Sequence, residues 1–190
     1  MSKIQQKICI VILLFSFFNS KAQELAPKFR SAGGMIGNGQ LLNTGTHYKP
    51  IFLAGDLSWQ FTKGEKKVFL SYYVQPKFNF VLTEGPVQVE FGNNIGIRLY
   101  QYGGKDLYFY QMIGAGPHFI TAVVERQAKG FIFSDNIGIG VLKKMTKNKV
   151  ALNFQLIWRH MSNAGFKNPN AGINTLNILI GLIKLNGDHS

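Results

Sequence analysis

Period-two alternation runs through this chain in segments of ten residues or more, and it narrows the folds open to it. Successive side chains of a strand leave opposite faces, so alternation gives each strand two unlike faces. Over Pro50–Thr62 the odd positions hold Ile51, Leu53, Gly55, Leu57, Trp59 and Phe61, while the even ones include Asp56, Ser58 and Gln60. Over Lys67–Phe80, Val68, Leu70, Tyr72, Val74, Phe78 and Phe80 oppose Ser71, Gln75, Lys77 and Asn79. Val87–Tyr102 sets Val89, Phe91, Ile95, Ile97 and Leu99 against Gln88, Glu90, Asn94 and Arg98. Val150–Ser162 sets Val150, Leu152, Phe154, Leu156 and Trp158 against Ala151, Asn153, Gln155, Ile157 and Arg159. Further strands are expected near Phe29–Asn38, Leu107–Thr121, Gly130–Lys143 and Ile173–Leu185. The count is about eight, separated by turn signals such as Gly103-Gly104-Lys105 and Thr146-Lys147-Asn148. No helical segment competes.

Two architectures suit such strands. A water-soluble sandwich or lipocalin-like barrel buries the apolar faces; a transmembrane barrel turns them outward to lipid and fills its interior with the polar ones. The amino-terminal stretch favours the second. Lys3 and Lys7 precede an almost unbroken apolar run from Ile8 to Phe18, and Ser20-Lys21-Ala22 follows it. This is the order of a secretory signal peptide over residues 1–22, cleaved after Ala22, and the run is too short for a spanning helix. Cys9 is the only cysteine and lies in that leader, so the mature chain offers no disulfide and no cysteine metal site. The strands are also longer than the five or six residues usual in globular proteins, and sixteen of the 190 residues are Phe.

The expected fold is therefore all-β, an eight-stranded antiparallel transmembrane β-barrel over residues 23–190, in the bacterial outer membrane. Asp56, Lys77, Glu90, Arg98 and Arg159 are expected to pair in its interior. Tyr100, Tyr102, Tyr108 and Trp158, near strand ends, are expected to form interfacial girdles.

The net charge of +12 becomes +9 once the leader is gone, and it asks for an anionic partner. A nucleic acid is a poor candidate behind a signal peptide, and no nucleic-acid-binding motif is present. His47, His118 and His189 are scattered without ligand spacing, so no metal site is expected. Gly114-Ala115-Gly116 and Gly138-Ile139-Gly140 lie within strands and read as close-packed wall positions rather than a nucleotide loop.

One constellation can do chemistry. His160 and Ser162 stand two apart at the end of a strand, on the parity of Leu152, Phe154, Leu156 and Trp158. Asn174 has the parity of Leu176, Ile178, Ile180 and Leu182 on the last strand. A roughly ten-residue loop joins these strands, so they are expected to be neighbours. Ser, His and Asn then meet on the lipid-facing wall. A hydroxyl beside an imidazole that a third group orients is the arrangement of nucleophilic acyl transfer. Polar groups on a lipid-facing surface are costly, which favours a functional reason for them. The plainer alternative is a polar strand end passing into a Gly/Asn/Pro loop.

His160-Met161-Ser162-Asn163-Ala164-Gly165, followed by Asn168-Pro169-Asn170-Ala171-Gly172-Ile173, resembles the signature of the lipid A 3-O-deacylase (PagL) family of outer-membrane enzymes, which are acyloxyacyl hydrolase-like. The resemblance implies an eight-stranded barrel that hydrolyses an acyl ester of lipid A. It implies Ser162 as nucleophile and His160 as general base. It maps the oxyanion donors to the amide of Gly165 and the side chain of Asn170, and gives Asn163 a positioning role. No cofactor is implied. Lipopolysaccharide and other outer-membrane lipids are the implied partners, and a homodimer is compatible with the pattern. In one place the chain departs from the family: the third triad member is a Glu there and Asn174 here. Asp135, on a neighbouring strand, is a candidate substitute acid. The competing readings are a non-catalytic small barrel with a structural or surface-interaction role, and an esterase acting on another outer-membrane lipid.

Overall fold

The computed structural model describes residues 30–42, 47–62, 67–125, 127–145 and 149–186. The leader, the turn signal Thr146-Lys147-Asn148 and His189 lie outside these residues. Eight strands follow one another in chain order: β1 Arg30–Leu41, β2 Lys49–Gln60, β3 Val68–Leu82, β4 Gln88–Gly104, β5 Leu107–Ile120, β6 Gly130–Lys144, β7 Val150–Ser162 and β8 Ile173–Asn186. Each pairs antiparallel with the next, and β8 pairs with β1, so the sheet closes into a barrel with no free edge.

Alternation sets the two surfaces. Ile51, Leu53, Tyr72, Phe78, Ile95, Ile97, Leu152, Phe154 and Ile180 are exposed on the outside, where an apolar band belongs in a membrane barrel. Ser58, Ser71, Gln75, Asn79, Asn94, Asn153 and Gln155 are buried in the interior.

The five expected interior charges are all buried there, but four of them form two separate clusters, while Lys77 lies over the ring of Phe52 at 5.8 Å. Toward one end, Arg98 grips Asp56 with both terminal nitrogens, at 2.9 and 2.6 Å. Gln75 and Gln155 also bond that carboxylate, and the guanidinium lies over the ring of Tyr73 at 4.3 Å. Toward the other end, Glu90 bonds both terminal nitrogens of Arg159 and the hydroxyl of Tyr48. It also accepts from Asn79 at 3.0 Å and contacts His118 Nδ1 at 2.8 Å. His118, which reads as isolated in the sequence, is thus a member of this cluster.

The aromatic expectation needs correction. Trp158 is on the outside at 41% exposure, whereas Tyr100 and Tyr108 are 1% and 8% exposed in the interior, and Tyr102, opposite Tyr108 and in ring contact with it, lies on their face at the strand end. Tyr100 stacks on Phe69, and Tyr108 meets the same ring edge-on. Tyr100 and Tyr102 have the parity of Arg98, so both point inward with it; Tyr102 is 40% exposed because it stands at the end of the wall, just before the register shift at Gly104. The outer aromatic row is built from phenylalanine instead. Phe78, Phe91, Phe119 and Phe131 stand side by side across β3, β4, β5 and β6. The in-strand glycines serve close packing: a Cβ on Gly114 would strike the Tyr73 hydroxyl, and one on Gly140 the ring of Tyr110.

The two ends differ. One carries a two-residue hairpin at Lys105-Asp106, both residues with positive φ as such a turn requires. The other carries the long connections 121–129 and 163–172. Short turns face the periplasm and long loops the exterior in barrels of this kind. The mouth at the long-loop end is filled by Tyr48, Val81, Ile120, Ala122, Val124, Ile132, Met161 and Ile173. Segment 121–129 lies against segment 163–172: Gln127 bridges Asn170, and Ala128 N–H donates to the carbonyl of Pro169 at 2.8 Å.

Candidate active site on the outer wall

β7 ends at the long-loop rim, and its last outward residues are Trp158, His160 and Ser162. Their inward neighbours Ile157, Arg159 and Met161 are buried. Arg159 is held from two sides, by Glu90 and by Ser134 Oγ, which accepts from its Nε at 2.7 Å. That anchorage fixes the strand from which His160 projects.

His160 stands directly opposite Asn174 of β8. Its Nδ1 lies 2.8 Å from Asn174 Oδ1. A carboxamide oxygen only accepts, so Nδ1 carries the hydrogen and the neutral ring keeps its lone pair on Nε2. The imidazole lies nearly parallel to the indole of Trp158, with centroids 6.3 Å apart. On the loop side it meets Gly172, a residue that sequence reasoning left without a role. Gly172 has φ +76°, and a Cβ there would come within 2.6 Å of His160 Cε1. The signal was available: a glycine just ahead of the strand that carries Asn174.

Ser162 shares the outward face of His160 and is half-buried. Its hydroxyl makes no hydrogen bond to the imidazole among the described residues. Phe133 of β6 is its cross-strand neighbour, and loop residue Phe166 lies 6.4 Å from that ring. The hydroxyl thus sits at the end of the phenylalanine-rich outer wall.

The other expected site residues organise the β7–β8 loop. Asn163 N–H donates to Asn170 Oδ1 at 2.8 Å, and Asn163 Nδ2 donates to the carbonyl of Lys167 at 2.6 Å. Asn163 Oδ1 accepts from the amide of Gly165 at 3.0 Å. Asn170 is therefore fixed by its oxygen, which leaves its amino group as a donor. The Gly165 amide is satisfied inside the loop. Ala164 and Gly165, with φ 54° and 86°, make the tight turn that permits this. Lys167 is exposed on the loop. Asp135 of β6 is exposed on the outer wall, directly opposite His160 on the side away from Asn174.

The profile of the lipid A 3-O-deacylase (PagL) family matches residues 43–182. The chain belongs to this family. The crystal structure of the outer membrane enzyme PagL is similar at a TM-score of 0.57 and 19% identity, covering 80% of this chain and 97% of that one. That likeness is one of fold. Ail, the attachment invasion locus protein of Yersinia pestis, covers 83% of this chain and 97% of its own, with a TM-score of 0.48 and 8% identity. A de novo designed transmembrane β-barrel gives 0.41 at 13% identity, covering 86% of this chain and 100% of the design. No curated protein is significantly similar in sequence. The closed barrel, the apolar outer wall and the family together make this an outer-membrane barrel of bacteria, of a deacylase family whose substrate, lipid A, belongs to lipopolysaccharide.

Proposed function

We propose that this member of the deacylase family is an ester hydrolase that removes an ester-linked acyl chain from lipid A in the plane of the outer membrane. Ser162 is its nucleophile, His160 its general base and Asn174 the group that orients the base. The observation that supports this most is the His160–Asn174 hydrogen bond on the lipid-facing wall, which leaves on Nε2 the lone pair a general base needs, on a strand face shared with Ser162. Hydrogen bonds of this sort commonly tighten only when substrate arrives, so the unbonded Ser162 hydroxyl is compatible with the role.

The long-loop rim lies at outer-leaflet height, where lipopolysaccharide is. An acyl ester can reach Ser162 Oγ without leaving the membrane. Ser162 Oγ attacks the ester carbonyl while His160 Nε2 takes its proton. The amino group of Asn170 donates to the oxyanion, and so does the Gly165 amide once it exchanges Asn163 Oδ1 for that oxygen. Collapse of the tetrahedral intermediate breaks the C–O bond of the ester, and the imidazolium returns its proton to the leaving alkoxide. Water, deprotonated by His160, then cleaves the acyl-enzyme and releases the fatty acid. The apolar surface of Phe133 and Phe166 accepts the chain, and Lys167 meets a lipid phosphate. No step needs a cofactor.

Lipid A extracted from cells that make the protein is expected to lose the mass of one acyl chain, and lipid A from cells that make Ser162→Ala is not. Mass spectrometry reads both. Unchanged lipid A from a properly inserted parent protein favours the non-catalytic barrel; loss of acyl groups from other lipids alone favours a different esterase.

Gly172→Ala tests the packing behind the base. A methyl group at that position displaces the imidazole, and a misplacement of about 1 Å can cost about 10²-fold in rate. The expected result is a fall of that order in acyl release, with the barrel still folded by gel mobility before and after heating. Parental activity in Gly172→Ala contradicts a rate-determining placement of this ring.

A further inference from the structure

On the outer wall the rows that flank the site are apolar. Ile137, Trp158 and Leu176 form the row below it, and Phe133 is the cross-strand neighbour of Ser162. The row between is polar throughout: Asp135 of β6, His160 of β7 and Asn174 of β8. Asp135 is exposed on a lipid-facing surface, where an ionisable group is expensive to keep. Among the described residues its carboxylate has no hydrogen-bond or ion-pair partner. Its other cross-strand neighbour is Ala115, which offers nothing polar.

Only the imidazole is therefore placed to gain from that charge. Residues directly opposed across antiparallel strands have Cβ atoms about 4.5–5.5 Å apart. The Asp135 carboxylate and the imidazole are therefore neighbours on the wall, without a direct ion pair among the described residues. Asn174 already occupies Nδ1 and orients the ring, but a carboxamide has no charge with which to hold an imidazolium. We infer that Asp135 supplies this missing charge, so that the two tasks usually given to one triad carboxylate are divided between strands on either side of His160. Asn174 sets the tautomer, and Asp135 stabilises the imidazolium formed when Ser162 gives up its proton. Asp135 acts through His160 and touches no reacting atom. This inference rests on the Ser162–His160 reading above.

No other charged side chain faces His160 from its flanking strands. β8 brings Asn174, Arg159 points into the barrel, and the loop brings the backbone of Gly172. The split between kcat and KM, and rescue by a second carboxylate, are therefore the direct readouts. For Asp135→Asn in detergent micelles, kcat for acyl release from lipid A is expected to fall about 10- to 100-fold with KM within about twofold. Adding Asn174→Glu to Asp135→Asn puts a carboxylate back beside Nδ1, and the rate is expected to recover to within about threefold of the parent. A fluorophosphonate probe, which reacts with activated serine, monitors Ser162 in parallel.

A parent protein that neither releases fatty acid nor takes label at Ser162 overturns both the catalytic reading and this one. A parent that does both, with Asp135→Asn matching it in kcat, overturns this one alone. So does a slowed Asp135→Asn that Asn174→Glu fails to rescue, because that marks a structural defect rather than a missing charge.

Discussion

Ser162→Ala and His160→Ala are each expected to lower acyl release from lipid A by about 10⁴-fold or more, the scale on which nucleophile and base losses act in other serine hydrolases. The two effects should not add, because neither residue has a function in the acyl-transfer step without the other. Both side chains leave the outer face of β7, away from the packed interior, so neither change opens a core cavity. The variants should fold, insert into detergent or vesicles, and keep the heat-dependent gel shift of an intact barrel. Fatty-acid release from purified lipid A, with each variant at the parental concentration, gives the measurement. If Ser162→Ala keeps parental activity, Ser162 is not the nucleophile and the proposed mechanism loses its first step.

The largest stability effect is expected inside the barrel, at Glu90→Gln. This carboxylate is fully buried and bonds Arg159, Asn79, His118 and Tyr48, which come from four separate parts of the chain. The amide has nearly the same shape but no charge, so Arg159 is left buried opposite a neutral group. Removing one partner of a buried ion pair costs about 3–5 kcal/mol, because the surviving charge keeps its desolvation penalty without its compensation. Urea unfolding in micelles should show a loss of that size for Glu90→Gln. The double variant Glu90→Gln, Arg159→Met should recover part of it, since the uncompensated charge is gone. A loss below about 1 kcal/mol in Glu90→Gln would mean that Arg159 finds another partner or never needed this one. Activity should fall with the single change as well, because Arg159 immediately precedes His160 on β7 and helps to hold the strand end.

The sites of these two predictions were legible to different degrees. The seventh strand, Val150–Ser162, has the same bounds in the sequence pattern and in the structure, and the outward direction of His160, Ser162 and Asn174 follows from parity alone. The motif from His160 to Ile173 carried the family resemblance. Gly172 was in view but without a role, since only the folded loop brings it against the imidazole. Asn163 and Asn170 read as active-site residues, and the structure adds that they bond one another and shape the loop. Tyr100, Tyr102 and Tyr108 were misplaced because nearness to a strand end was given more weight than parity; the interior parity of Arg98 already included Tyr100 and Tyr102.

The sequence by itself determined which side of the wall each side chain takes. That property is local: each residue reverses the direction of the one before it, and a lipid exterior with a polar interior then selects one phase for every strand. Local order also limited the chemistry, by putting an imidazole and a hydroxyl two residues apart on the lipid side. Only the closed barrel decided which residues are neighbours across strands. Glu90 and Arg159 lie far apart in the chain and meet because closure folds β4 and β7 into one interior. Asp135 and Asn174 flank His160 because the registers of β6 and β8 against β7 bring both to the same row. Register depends on turn geometry and on packing summed around the whole barrel, and no single segment contains that information.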